Sequence, residues 1–477
     1  MIHRGDSFEI EIVEYAFGGR GIGYLVSQEK KIIVFVDNTF PGQVVLCRIS
    51  KIRKNYAEAK LIDIVQRSKC EVINDFQEVS GSPYIYVPNE LQKDHKIKST
   101  LSTFKKISGA KEDLILDEYI DSPMEYFYRN KMEYSFSSIE FDKENKVDID
   151  DAFALGFKRR GTWWKVENLD KPSGLFDEEF EKKLIQVRSY LKKCNLPAWH
   201  PPQKKGFFRH LVVRKSFYHD HLLLNIVTSS EQIKLFDKKS FVDFVVKILG
   251  NRVRGILHTI NDDVSDRSKI ENGQSELLFG KPFIIEEING LKFQISMESF
   301  FQTNPKGAEN LYNKAISYLF EQKYQEEEVI MDLFCGTGTI GQLIAAKNNS
   351  ISVIGVDIVP EAIDDAKKNA GLNKLKNIKF HASDVGKFLK EKPEYIGKIS
   401  SIIIDPPRAG IAPKTLLKIK DLDAKTIVYI SCNPSTQARD AATLREFGYS
   451  LEKYTLVNQF PHTGHIESIG KFVKHEH

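Results

Sequence analysis

The chain has 477 residues, 41% hydrophobic and 28% charged, with a net charge of +4. That length supports two or three domains with separate cores, and the lack of any run of about 18 uncharged apolar residues excludes a helical membrane protein. The charge is too small to mark a nucleic-acid binder by itself, so the placement of basic residues matters more than their sum. Five cysteines (Cys47, Cys70, Cys194, Cys335 and Cys432) are scattered without pairing or metal-type spacing. They argue for a reducing cytoplasm and against a disulfide framework or a metal site. The opening Met1-Ile-His-Arg-Gly-Asp6 has no apolar stretch of the secretory kind, so a cytoplasmic protein is expected.

Residues 1–67 read as an OB-like β-barrel. Phe8 to Val13 alternates charged and apolar groups with a period of two. Gly18-Gly-Arg-Gly-Ile-Gly23 predicts a turn, and Lys31–Val36 and Gln43–Ile49 predict further strands. Arg20, Lys51, Arg53 and Lys54 interleave with Phe17 and Tyr56, as a surface offering charge to phosphates and rings to bases would.

Residues 68–290 read as a central α+β module. Paired strands are expected at Phe207–Arg214 and His221–Thr228, with helices at Asp177–Cys194 and Ser240–Leu249. Lys158, Arg159, Arg160, Lys204, Lys205, Arg209, Arg214 and Lys215 recur near Trp163, Trp164 and Phe207, which suggests a nucleic-acid platform.

From 291 to 477 strand-like runs at 329–333, 352–357, 377–381, 401–405 and 426–431 alternate with helical stretches. That pattern predicts a doubly wound parallel sheet. Asp332-Leu-Phe-Cys-Gly-Thr-Gly-Thr-Ile-Gly341 follows the first run as a strand-to-helix glycine turn, in which Gly336, Gly338 and Gly341 satisfy G-x-G-x-x-G. Asp357 closes the second run, where a carboxylate can hold ribose hydroxyls. Asp384 ends the third, where an adenine amine would lie, and Asp405-Pro-Pro ends the fourth. Together with a cysteine turn at Ser431-Cys-Asn-Pro-Ser435, the set suits S-adenosylmethionine (SAM) better than a dinucleotide.

The chemistry of methylating a pyrimidine carbon explains the rest. C5 of uracil attacks a methyl sulfonium only after a thiolate has added to C6, and a base must then remove the C5 proton. One exposed thiol of lowered pKa and one carboxylate are needed. Cys432 is the candidate thiol, and Glu467 in Phe460-Pro-His-Thr-Gly-His-Ile-Glu467 the candidate base; His462 and His465 either orient neighbours or are structural. Cys335 reads as a small buried group beside the cofactor turn. Arg408 stands where exocyclic-amine methyltransferases present an aromatic, which favours carbon methylation. The base has to be flipped outward, with Phe300 or Phe301 as stacking candidates and Gln302 able to reach the methyl donor.

These motifs make the chain resemble the RNA uracil-C5 methyltransferase family over nearly its whole length. Residues 8–25 are similar to the start of a TRAM domain, and Tyr128-Arg-Asn-Lys131 to the family's central-domain motif. The resemblance implies an α/β fold: a Rossmann-like class I SAM methyltransferase domain (291–477) preceded by a TRAM barrel (1–67) and a central RNA-binding domain (68–290). It implies Cys432 as nucleophile, Glu467 as base, and SAM contacts from Gln302, Phe334, Asp357 and Asp405, with Gly336, Gly338, Thr339 and Asp384 completing the pocket. Thr339 stands where the family often has asparagine, and Asp357 where it often has glutamate. Many members carry a four-cysteine iron–sulfur site between the first two domains; Cys70 is the only cysteine between residues 48 and 193, so no cluster is expected. The implied partner is RNA, with no membrane, and the implied state is a monomer. The TRAM-like barrel favours 23S ribosomal RNA, because the tRNA-specific relatives generally lack it. The T-loop of tRNA, an RNA cytosine-C5 methyltransferase and a catalytically idle RNA-binding factor remain the alternatives.

Overall fold

In the computed structural model, which describes residues 2–27, 30–110, 114–263, 274–325, 328–395 and 397–475, three large sheets follow one another along the chain. Positions 1, 476 and 477 of the expected domain ranges lie outside the described residues. Among those residues no helix is long and apolar enough to cross a membrane.

The first sheet has six strands in the order Ser7–Glu11, Val44–Ile52, Tyr56–Gln66, Lys30–Asp37, Arg20–Ser27, Glu14–Ala16. Ile10, Ile12, Val34, Val36, Val45, Cys47, Ile49 and Leu61 fill its interior. The glycine-rich stretch is shorter as a turn than its composition predicts, since Arg20–Ser27 is a strand. Gly21 and Gly23 belong to that strand because a Cβ at either would lie 2.4 Å or less from Ile12 or Ile10. They mark the close crossing of two strands. Phe17 is half-buried, packed against the core of the C-terminal domain.

The second sheet has nine strands, centred on Lys131–Ser137, Phe208–Lys215, Leu222–Thr228 and Val253–Ile260. Helices Glu178–Lys192 and Lys238–Leu249 contribute Phe180, Leu184, Phe241 and Val245 to the core on this sheet. The expected basic platform is thinner than the sequence suggests. Arg209, Arg214 and Phe207 are fully buried: Arg209 donates to the carbonyls of Asn261 and Asp263, and Arg214 to those of Met297 and Ser299. These arginines close the sheet from inside, whereas Lys204, Lys205 and Trp163 are exposed.

Between the two sheets, Cys70 Sγ is 3.2 Å from Ser68 Oγ. Ion pairs hold this strip: Arg67 reaches Glu71 at 2.7 Å and Glu78 at 2.5 Å, and Arg160 reaches Glu78 at 2.9 Å. The chain then forms the helix Asn89–Ser108 and the strand Glu118–Ile120, and that strand joins the third sheet.

The third sheet has eight strands in the order Ile378–Ala382, Ser352–Asp357, Val329–Leu333, Ile399–Ile404, Thr426–Ser431, Glu467–Lys474, Tyr449–Val457, Glu118–Ile120. The first five are parallel. Their Ile- and Val-rich sequences are buried on both faces, as a sheet covered by helices on each side requires. Glu467–Lys474 runs antiparallel to both of its neighbours. This reversal sets the first residue of that strand, Glu467, at the rim where the parallel strands finish.

Candidate active site

The rim is built by strand ends. After Val329–Leu333 the backbone turns sharply through Phe334 (φ 63°), Gly336 (φ 53°) and Gly338 (φ 72°) before the helix Thr339–Lys347. A left-handed phenylalanine is unusual, and it is held where its ring packs on the core below the sheet. The Gly336 N–H donates to Asp357 Oδ2 at 2.9 Å, and the Val359 N–H to Asp357 Oδ1 at 2.9 Å. Beside Asp357 the side chain of Ile358 is 64% exposed, an apolar shelf left open at the rim. Asp384 is exposed and caps the helix Val385–Glu391, accepting from the Lys387 N–H at 2.9 Å. Thr339 differs from the others: it is buried, with its hydroxyl 3.5 Å from that of Thr337. Cys335 is packed against Gly355, and burial pushes its thiol well up, as a small core group.

Beneath the turn, the fully buried Asp332 accepts from the Gly341 N–H at 2.8 Å, while its other oxygen has no partner among the described residues. Burial raises this carboxyl to about 8 and Asp405 to about 7. Carboxylates with open valences, a glycine cradle and an exposed apolar face suit a ligand that is part nucleoside and part cation.

The second half of the site is a matter of register. Ser431 lies directly opposite Ser468 in the antiparallel ladder, so the next step past the strand end sets Cys432 against Glu467. Glu467 is buried, and its carboxyl is pushed far above the usual range by burial, then by the charge of Asp405, with Arg408 opposing. Cys432 is half-buried, just before the helix Pro434–Glu446. The charge of Arg408 acts on the thiol, and its carbonyl accepts from Asn433 Nδ2 at 3.0 Å and Thr436 Oγ1 at 3.3 Å. The turn 405–410 is therefore lashed to the helix that follows the cysteine.

The thiol does not have the lowered pKa expected from its chemistry. Burial pushes it up to about 11, the charges of Glu467 and Asp405 add to this, and Arg408 only partly compensates. At pH 8 roughly one part in a thousand is thiolate. Alkylation of Cys432 by iodoacetamide, followed by mass spectrometry of its peptide, is expected to rise about tenfold per pH unit from 8 to 10. Arg408→Ala should shift that profile to higher pH and Glu467→Gln to lower pH; a flat profile in this window contradicts the electrostatic account.

Gln302 lies on the segment leading to the helix Pro305–Leu319. Its carbonyl accepts from Asn130 Nδ2 at 3.1 Å, and its side chain acts on the nearby hydroxyl of Tyr312, which burial and the charges of Asp405 and Glu467 hold well above its ordinary pKa. Tyr312 is thus a member of the site that the sequence alone does not disclose, because a tyrosine on the buried face of a helix looks like ordinary core. Of the two stacking candidates, Phe301 is 7% exposed and packs on Phe293, whereas Phe300 is 68% exposed. His462 is fully buried, stacked on Tyr126 at 4.7 Å and held by Gln92, so it is structural. Among the described residues no group of three or more His, Cys, Asp or Glu side chains is placed to hold a metal ion.

Residues 272–475 match the tRNA (uracil-5-)-methyltransferase family and residues 3–62 the TRAM domain. An uncharacterized RNA methyltransferase of Clostridium tetani is 35% identical over 474 residues, 98% of each chain. A second, from Clostridium acetobutylicum, is 37% identical over 482 residues, again 98% of each. A third, from Caldanaerobacter subterraneus subsp. tengcongensis, is 37% identical over 475 residues, 99% of each. The crystal structure of Pyrococcus abyssi tRNA (uracil-54, C5)-methyltransferase with S-adenosyl-L-homocysteine superposes with a TM-score of 0.69 over 97% of this chain and 100% of that one. At 24% identity, that likeness is one of fold.

Proposed function

The chain belongs to the family of SAM-dependent RNA uracil-C5 methyltransferases, and from that premise we propose that Cys432 and Glu467 act as nucleophile and proton acceptor on a uridine of 23S ribosomal RNA. The observation that carries this reading is the antiparallel pair Ser431–Ser468, which leaves Cys432 and Glu467 one residue beyond it on either strand, within reach of each other's charge and of Asp405 and Arg408. The Cys432 thiolate forms a bond to C6, and the ring's electron pair moves onto C5 and O4. SAM would be held by Asp357, Asp384, Asp405, Gln302 and the turn from Phe334 to Thr339; when bound it would supply a positive charge beside the carboxylates and the methyl that C5 accepts, the S–CH3 bond breaking with its electron pair kept on sulfur as S-adenosylhomocysteine leaves. Glu467 then takes the C5 proton, the C5–C6 double bond re-forms, and the S–C6 bond breaks to return the thiolate. Burial makes Glu467 a stronger proton acceptor than an exposed carboxylate. Phe300 is the side chain free to fill the stack that the flipped base leaves.

The pocket assignment has its own test. Asp357 offers charge-assisted hydrogen bonds, so Asp357→Ala should weaken SAM binding about 100-fold or more. Isothermal titration calorimetry measures this, and unchanged affinity removes the pocket.

The barrel alone does not choose the RNA. A tRNA-modifying enzyme shares the fold over 97% of this chain, which leaves too few residues to omit the barrel, so the T-loop of tRNA is the second reading. Mapping 5-methyluridine in ribosomal and transfer RNA from cells with and without the protein decides. Loss confined to 23S RNA supports the first reading and loss confined to tRNA the second. If tritiated SAM leaves no label in either RNA, the chain is an idle RNA-binding factor.

A further inference from the structure

The segment that delivers Glu467 is held mostly from outside its own domain, by Lys96, Tyr128 and Tyr84, and from within it by Asn304. Four successive carbonyls in the loop are each taken by a different element. Asn304 Nδ2 donates to Gln459 O at 3.1 Å, Lys96 Nζ to Phe460 O at 3.1 Å, the Tyr128 hydroxyl to Pro461 O at 3.0 Å, and the Tyr84 N–H to His462 O at 3.0 Å. Gln92 accepts from the His462 N–H at 2.9 Å, and Lys96 also donates to Asn458 Oδ1 at 2.8 Å. Inside the loop, Thr463 Oγ1 donates to Phe460 O at 2.8 Å and accepts from the His465 N–H at 3.1 Å. So braced, residues 458–466 are tied to the neighbouring elements, and Ile466, the residue before Glu467, is buried in the core.

At the tip of this loop the N-terminal barrel touches the C-terminal domain backbone to backbone. A Cβ on Gly464 would lie 2.2 Å from Gly19 Cα, 2.5 Å from Gly19 N and 3.0 Å from Gly18 C. Gly464 has no positive φ, so space alone requires glycine there. Tyr84 bridges the same two backbones. Its hydroxyl donates to Gly19 O at 2.9 Å in the barrel turn, while its N–H holds His462 O in the catalytic loop.

We propose that the barrel is a positioning element for Glu467, acting through Gly19, Tyr84 and Gly464, and that the RNA-binding half of the chain thereby sets the proton-removal step. The inference rests on the reading of Glu467 as the base. The barrel turn is the outer wall of the loop, and without it the loop can shift away from the ladder; misplacing a reacting group by about 1 Å costs on the order of 100-fold. The nucleophile and cofactor turns make none of these contacts, so binding of SAM and addition of the thiolate do not depend on the wall.

The test uses the full chain with Gly464→Ala, which forces the barrel turn away, and Tyr84→Phe, which removes one hydroxyl from a buried ring and keeps the fold. Each is given tritiated SAM and total RNA from cells lacking the protein, and first-turnover methylation is compared with multiple-turnover rate. The expected result is first-turnover methylation within about twofold of the parent, multiple turnover about 10- to 100-fold slower, and methylated RNA left attached to protein in denaturing gels. Should Gly464→Ala not fold, Tyr84→Phe decides. Turnover at the parental rate, or an equal loss in both phases, overturns the inference. Glu467→Gln in the same assay separates the two failures. If it releases product as the parent does, the reading beneath is wrong as well; if it stays attached to methylated RNA while the Gly464 and Tyr84 variants release product normally, only the role of the barrel is lost.

Discussion

Cys432→Ala is expected to lower methyl transfer by about 10⁴-fold or more, since removing a nucleophile that acts within a coupled group of residues costs nearly the whole rate enhancement. Without a bond to C6 the C5 carbon carries too little electron density to take a methyl, and no other thiol is near. Cys335 is half-buried beside the cofactor turn, packed on Gly355, and Cys47 is buried within the barrel. SAM affinity should stay within about twofold, because the carboxylates and glycines proposed to hold SAM lie on other strand ends. The variant should also form no denaturant-stable adduct with 5-fluorouracil-containing RNA, where the parent forms one. Retention of one hundredth of the parental rate would mean that C5 is activated in another way. Cys432→Ser belongs in the same experiment, since a serine keeps the shape of the turn and the cap by Asn433 but supplies a far poorer nucleophile.

What could be read from the sequence was whatever is local. The five parallel strands announce themselves as short runs of Ile and Val between helical stretches, and their ends carry the glycines and aspartates that a cofactor turn needs. Cys432 and Glu467 stand in short motifs, and their motifs were enough to nominate them. Their pairing was not legible. The return strands Tyr449–Val457 and Glu467–Lys474 are joined by the motif loop itself, and register across an antiparallel pair is a long-range property. The pKa of the thiol was misjudged for a related reason. The chemistry calls for a thiolate, but its resting state is set by how deeply the turn sits and by two carboxyls that arrive from other strands.

The helix Asn89–Ser108 escaped notice on physical grounds as well. Its buried stripe is Gln92, Lys96, Thr100, Phe104 and Ser108, one residue every four, and only Phe104 is apolar. A periodicity search sees little, because the helix buries Gln92 and Lys96 through hydrogen bonds to the loop 458–466 beside the hydrocarbon of Ile97, Leu101 and Phe104. Lys96 shows the cost: burial lowers its amine to about 7, so the folded protein gives up a proton that an unfolded chain keeps until about 10. By linkage that penalty is full below pH 7 and is relieved as pH rises toward 10. A sequence accepts such a residue where position matters more than stability, which fits its two bonds to Asn458 and Phe460.

Glu467→Gln separates the two halves of the reaction. The side chain is buried in a ladder position opposite Val457, and glutamine keeps its size, so the fold and the cofactor turn should be undisturbed. Thiolate addition and methylation should proceed, whereas the C5 proton then has no acceptor. Turnover is expected to fall about 10²- to 10⁴-fold, with methylated, unsubstituted RNA trapped on Cys432 and visible as a labelled band that survives denaturation. A second signature comes from electrostatics. The carboxylate that raises the thiol is gone, so Cys432 should be alkylated faster than in the parent at the same pH. The two signatures together exclude a merely damaged protein, which would lose the first turnover as well. Rapid release by this variant would move the proton to the other carboxyl at the rim, Asp405, whose pKa near 7 makes it the next candidate. Asp405→Asn distinguishes the cases. If Glu467 is the base, that change weakens SAM binding and slows the first turnover; if Asp405 is, it leaves methylated RNA bound to the cysteine.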